Sequence, residues 1–181
     1  MNGLLVSVGA AKIVFGFVIG VVGMYAASRL LARMLRNGEP EQAQRDGNTA
    51  VSLLFAAGLL SIGNLLKQAV VTTFSALDVI AQGAQPDAPT VAKVVGYGLV
   101  HASIAILVGC VVLSLGVLAF SLMTRGVDER AQIRAGGVGP ALVLSAVLLA
   151  LSMLTAPGLD TVLNGLLPLP ALGRAILSTP A

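Results

Sequence analysis

The sequence predicts an all-α polytopic membrane protein, four transmembrane helices built as two tandem hairpin repeats in parallel orientation. Three observations predict it. Four apolar runs, near Leu4–Ala27, Val51–Phe74, Val94–Leu122 and Val138–Thr155, take up most of the 181 residues. Each reaches the ~18–20 apolar residues that cross a bilayer as a helix. Charged residues make up only 10% of the chain and apolar ones 56%. An ordinary soluble domain carries roughly 25% charged residues, so too little polar surface exists to cover a water-facing fold. Residues also recur at an offset of 89 without gaps.

The first run has no basic segment ahead of it, and Lys12 lies inside it. A secretory signal peptide would have a basic start and a short apolar core. Ala26-Ala27-Ser28 is weakly cleavage-like, but Arg29, Arg33 and Arg36 follow directly. The run therefore reads as an uncleaved first helix that continues to about Leu35. Asn37-Gly38-Glu39-Pro40 then breaks it, because glycine frees the backbone and proline removes a donor. Asp46-Gly47-Asn48-Thr49 supplies cap chemistry for the second helix. The connection Ala76–Thr90 holds Gly83, Pro86 and Pro89 and reads as irregular. Pro157-Gly158 is expected to bend or end the fourth helix, and the tail from Leu166 to lie against the membrane interface. A single transmembrane domain thus covers residues 1–181, with hairpins at 1–88 and 89–181 and no room for a separate soluble domain.

Orientation follows from arginine placement. Seven basic residues, Arg29, Arg33, Arg36, Arg45, Arg125, Arg130 and Arg134, lie in the first and third connections, against Lys93 and Arg174 on the other side. Positive loops stay inside, so loops 28–48 and 123–137 are expected in the cytoplasm and both termini outside. The net charge of +3 is thereby an orientation signal. No basic face interleaved with aromatics appears, and nucleic-acid binding is not expected. The only cysteine, Cys110, lies within the third run and excludes an intrachain disulfide.

The repeat pairs Gly20 with Gly109, Arg36 with Arg125, Glu39 with Asp128, Arg45 with Arg134 and Gly47 with Gly136. Leu53, Ala57, Leu59, Leu60 and Leu65 pair with Leu142, Ala146, Leu148, Leu149 and Leu154. Leucine matches are common in apolar sequence. The Arg-x-Gly at the start of helices two and four is less so. Two hairpins of one orientation, related by an axis along the membrane normal, fit this pattern. Parallel repeats occur in transporters, and also wherever a hairpin has duplicated.

The residues entering the second helix carry a resemblance. Gly47-Asn48-x-Ala50 is similar to the signature of the YjfL-like bacterial inner-membrane family (four-helix domain of unknown function 350). Its members look like two fused hairpins with such a signature entering each second helix. The second copy here, Gly136-Gly137-x-Gly139, lacks the asparagine and the alanine, which leaves a symmetric role for the asparagine unsupported. The resemblance covers most of residues 4–167. It implies a bacterial inner (plasma) membrane location. It also implies envelope-protein partners, because family members are often encoded beside envelope-stress and ATP-grasp proteins. It supplies no substrate and no catalytic residue.

Ionisable groups inside a membrane are the default functional candidates. Lys12, Lys67 and His101, with Asp160 after the fourth run, all fall in its outer third in the assigned orientation. With Asn64 and Gln68 they form a candidate polar cluster, which would bind an anion or pass a proton through His101. The plainer reading is that the lysines snorkel to the interface, His101 packs as a polar residue and Asp160 is an interfacial acid. Small residues form the second pattern. Gly16-x-x-x-Gly20, continuing to Gly23 and Ala27, occupies the place of Ala105-x-x-x-Gly109, and Gly137-x-x-x-Ala141-x-x-x-Ser145 runs down the fourth helix. Gly16, Gly20, Gly109, Gly137 and Ala141 are candidate helix-packing or self-association positions, since small side chains let backbones approach. Tyr25 and Tyr97 fit interfacial anchoring.

No enzyme is expected. Ser, His and Asp occur without a spacing that ties them together, and one histidine makes no His-rich zinc site. No cofactor or metal is expected either. Gly136-Gly137-x-Gly139 lacks the strand–turn–helix setting of a dinucleotide site. Two functions stand at this level: a non-enzymatic envelope component that assembles with itself or with partners, and an oligomeric channel or small-solute transporter. The inner halves of the helices are nearly all Ala, Val, Leu and Gly, which argues against a polar path through one subunit. A pore between subunits stays open, because an apolar constriction can gate by dewetting.

Overall fold

The computed structural model describes residues 3–34, 47–83, 88–123 and 129–166. They form α1 (Gly3–Met34), α2 (Thr49–Gly83), α3 (Ala88–Met123), α4 (Glu129–Arg134) and α5 (Val138–Leu166). All but α4 are long and apolar enough to span a membrane. The spans are Gly9–Met34, Thr49–Ser75, Ala92–Met123 and Val138–Leu166.

One sequence expectation about helix ends is corrected, and one alternative of another is excluded. The stretch Ala76–Thr90 is helical at both ends, since α2 runs to Gly83 and α3 begins at Ala88. Ala76, Leu77, Ala81 and Gln82 favour helix, and Pro89 sits in a first turn, where a missing N–H costs nothing. Nor does Pro157-Gly158 end α5, which continues to Leu166. Pro157 and Gly158 lie on the exposed side, while Ala156, Leu159 and Leu163 pack into the bundle across the break. Burial on the inner face thus holds the helix together where proline removes one backbone bond. The short α4 is an addition within the connection 123–137. Most of the connection 35–48 and the apolar tail beyond Leu166 lie outside the described residues.

α2 is the hub and the most buried span, packed against α1, α3 and α5. α3 packs on α5 and, more lightly, on α1, so α1 and α5 flank the α2–α3 pair. Glycines set the closest approaches. A Cβ on Gly23 of α1 would collide with Leu66 of α2, and one on Gly58 of α2 with Leu31 of α1. On α3, a Cβ at Gly109 would meet Ile62 of α2 at 3.0 Å, and one at Gly116 would meet Leu148 of α5 at 2.5 Å. Leu54, Ile62, Leu65, Leu113, Leu144 and Leu148 are fully buried between these helices.

Candidate functional site

Polar chemistry gathers at the two ends of the bundle. At the arginine-rich end, α4 stops in a Schellman turn: the Gly137 amide donates to the Gln132 carbonyl (2.8 Å) and the Gly136 amide to Ile133 (3.1 Å). Gly136 takes φ +92°, and a Cβ on Gly137 would lie 2.9 Å from the Gln132 carbonyl oxygen. Two glycines are therefore required there by backbone geometry.

Asn48 closes this turn onto α2. Its Oδ1 accepts from the Val51 amide at 3.1 Å, an N-cap. Its Nδ2 donates to the carbonyl of Arg134 at 2.8 Å, with Ile133 at 3.5 Å. One amide side chain thus caps the positive end of α2 and donates to a carbonyl at the negative end of α4. Gly47 ahead of it has φ +73°, and Ala50 after it is fully buried. Gly47-Asn48-x-Ala50 is accordingly a structural joint between the two halves of the chain. At the start of α5, Gly137 serves the Schellman turn instead.

At the other end, the candidate cluster divides. His101 is fully buried on α3. Its Nδ1 lies 3.0 Å from Thr73 Oγ1 of α2. The Thr73 hydroxyl donates to the Ala69 carbonyl at 2.8 Å, so its oxygen accepts from Nδ1–H. That chain places a proton on Nδ1, and in the neutral imidazole Nε2 then keeps its lone pair. Among the described residues, Nε2 and Ser145 Oγ are the buried side-chain polar atoms without a hydrogen-bond partner. Lys12 is half-buried, its Nζ 5.7 Å from the centre of the Phe74 ring. Phe74 meets Phe15 edge-on at 5.4 Å, and Phe15 and Thr73 both reach over Gly98, beside His101. Lys12 and His101 therefore share one end of the bundle with an aromatic pair. Lys67 is exposed on the outer side of α2. Asn64 turns to α5, where its Nδ2 donates to the Ser152 carbonyl at 3.3 Å.

Sequence reading missed the two threonines. Thr72 Oγ1 donates to Asp160 Oδ1 at 2.9 Å, so Asp160 is tied to α2. The signal was present in Thr72-Thr73, a polar pair one turn beyond Gln68 in an apolar run; their partners lie at distant positions in the chain.

The small-residue positions also divide. Gly109 and Ala141 are buried within the bundle, and Gly137 belongs to the Schellman turn. On α1, Gly23 faces α2 and Ala27 is fully buried. A Cβ on Gly16 would lie 3.9 Å from Val70 of α2, an ordinary contact, and around Gly20 nothing lies within 4 Å of a notional Cβ. Among the described residues no group of three His, Cys, Asp or Glu side chains gathers as a metal site.

These features define an all-helical, multi-pass membrane protein whose polar residues sit at the bundle ends and along the α2–α5 seam. The chain belongs to the family described as Domain of Unknown Function (DUF350), whose model matches residues 4–159. No curated protein matches the chain, and no solved structure does.

Proposed function

We propose that this protein is a non-enzymatic component of the bacterial inner membrane that works by assembling with itself or with envelope partners. One observation carries the reading: α1 is the least buried span and presents an open glycine face. Gly20 has open space around it, while Ile13, Phe17 and Met24 stand exposed near it. In lipid, helices associate through close packing of such small-residue faces, since apolar side chains gain little by leaving acyl chains. The arginine distribution supports cytoplasmic loops 28–48 and 123–137. The offset-89 repeat is supported by Gly47 and Gly136, which both take positive φ. It is supported again by the bonds Asn64–Ser152 and Thr72–Asp160, each joining residues 88 apart, as two side-by-side helices of one direction would.

The test is the size of the protein in lipid. Photobleaching of singly labelled protein in vesicles is expected to show several steps per particle. Gly20→Trp is expected to reduce this to one without loss of helix content, because the site is open within the chain. One-step bleaching of the unmodified protein would end the proposal of self-assembly.

A second reading has its own observation. A fully buried histidine with a bare Nε2, beside Thr73 and near Lys12, favours an oligomeric channel or transporter that moves protons or small ions. Proteoliposomes of the unmodified protein would then show ion flux above empty vesicles, and His101→Ala would change it by well over twofold. Equal flux in protein-containing and empty vesicles at pH 5 and pH 8 would remove this reading.

A further inference from the structure

The two hairpins pack in a way that leaves one interface unused at each side of the chain. α3 sits against α2 and α1 through a face whose positions have equivalents 89 residues earlier on α1. Gly98 of α3 receives Phe15 and Thr73, and Gly109 receives Ile62 at 3.0 Å and Leu65 at 3.6 Å. Their equivalents, Gly9 and Gly20, have nothing within 4 Å. Larger residues of the two faces differ in the same sense. Ala102 and Leu113 on α3 are 2% and 0% exposed, whereas the equivalent Ile13 and Met24 are 74% and 42% exposed. α1 thus repeats the glycines of the α3 groove, with Ile13 where α3 has Ala102, and lacks the side chains that fill it.

The side chains that would fill it are also present and uncovered. Leu65 and Thr73 of α2 are 0% and 2% exposed; their equivalents on α5, Leu154 and Val162, are 78% and 55% exposed. By contrast, Leu151 and Leu148 of α5 already face Gly116 of α3, as Ile62 and Leu66 of α2 face Gly23 of α1. Each helix has therefore made its within-hairpin contact. What α1 and α5 lack is the contact that α3 and α2 make between hairpins.

We propose that the occupant of the α1 face is α5 of a second copy of this chain, docked as α2 docks on α3. This rests on the assembly reading above and names its partner and its geometry. The contact continues the α2–α3 part of the interface already formed inside the chain, while the α2–α5 part stays within each copy: hairpin two lies beside hairpin one, and hairpin one of the next copy lies beside hairpin two. Donor and acceptor faces differ, so the association is heterologous, head to tail. With all copies in one orientation in the membrane plane, it closes into a ring if each step carries a rotation, and otherwise extends as a row.

The test is directional cross-linking in native membranes, in a Cys110→Ala background. Two differently tagged chains are co-expressed, one Gly20→Cys and the other Leu154→Cys. Both sites are open, so neither change disturbs the fold. A disulfide needs Cβ atoms within about 4.5 Å. The expected result is an oxidised dimer carrying both tags, absent when either chain is expressed alone. A single chain bearing both cysteines is expected to give a ladder of higher bands. Dimers from the Gly20→Cys chain alone would overturn the proposal in favour of a symmetric α1–α1 contact. No mixed dimer from a protein that photobleaches in several steps would overturn it while the assembly reading survives. One-step photobleaching would overturn both.

Discussion

Asn48→Ala is expected to destabilise the protein by about 2–4 kcal/mol. Loss of an N-cap costs roughly 1 kcal/mol. Leaving the Arg134 carbonyl without the Nδ2 donor, at a half-buried position, adds about 1–3 kcal/mol. The two contributions separate in Asn48→Asp. That variant keeps an oxygen for the Val51 amide but sets an oxygen where Nδ2 donated to Arg134. It is therefore expected to retain the start of α2 and to release α4. Unfolding in mixed micelles gives the stability, and proteolysis within Glu129–Arg134 reports whether α4 has left the bundle. Equal protease resistance of Asn48→Asp and the unmodified protein would show that the bridge to α4 contributes nothing.

Leu148→Ala is expected to cost about 2–5 kcal/mol, and Leu154→Ala less than about 0.5 kcal/mol in the isolated chain. Both are leucines of one apolar helix, six residues apart in the chain. Leu148 is 0% exposed and fills the space over Gly116 of α3, so its removal leaves a cavity between α3 and α5. Leu154 points away from its own bundle, where acyl chains replace a lost side chain readily. Comparable losses for the two variants in monomeric micelles would mean that α5 is rotated from the orientation described. If the head-to-tail contact forms, Leu154→Ala also weakens assembly in lipid while leaving monomer stability unchanged.

The membrane class was legible from length and composition, because a bilayer imposes a minimum apolar length and a low charge density on whatever crosses it. The cap at Asn48 was legible as a cap because capping is local: Oδ1 reaches an amide three residues on. Its second half was not legible, since Nδ2 bonds a carbonyl 86 residues away. The helix ends within Ala76–Thr90 were misjudged, and whether Pro157 bends or ends its helix was left open, for a related reason. Proline and glycine report a local cost, and burial of Ala156, Leu159 and Leu163 on the inner face outweighs it.

The candidate cluster shows the same limit at the level of a site. Lys12, Lys67, His101 and Asn64 are alike in sequence as polar residues in apolar runs. In the folded chain His101 is sealed against Thr73, Asn64 turns to α5, Lys12 lies over Phe74, and Lys67 faces outward. The glycines divide likewise into filled ones at Gly23 and Gly109 and open ones at Gly9 and Gly20.

By itself, then, the sequence determined that the chain is a helical membrane protein with four spans and a capped second helix. These depend on periodicity, run length and neighbours within one turn. Only the tertiary structure decided which face of each helix is inside. In lipid nearly every side chain on a spanning helix is apolar, so hydrophobicity no longer marks the interior; what marks it is the fit of Ile62, Leu66 and Leu148 against glycines on other helices, which forms only when those helices meet.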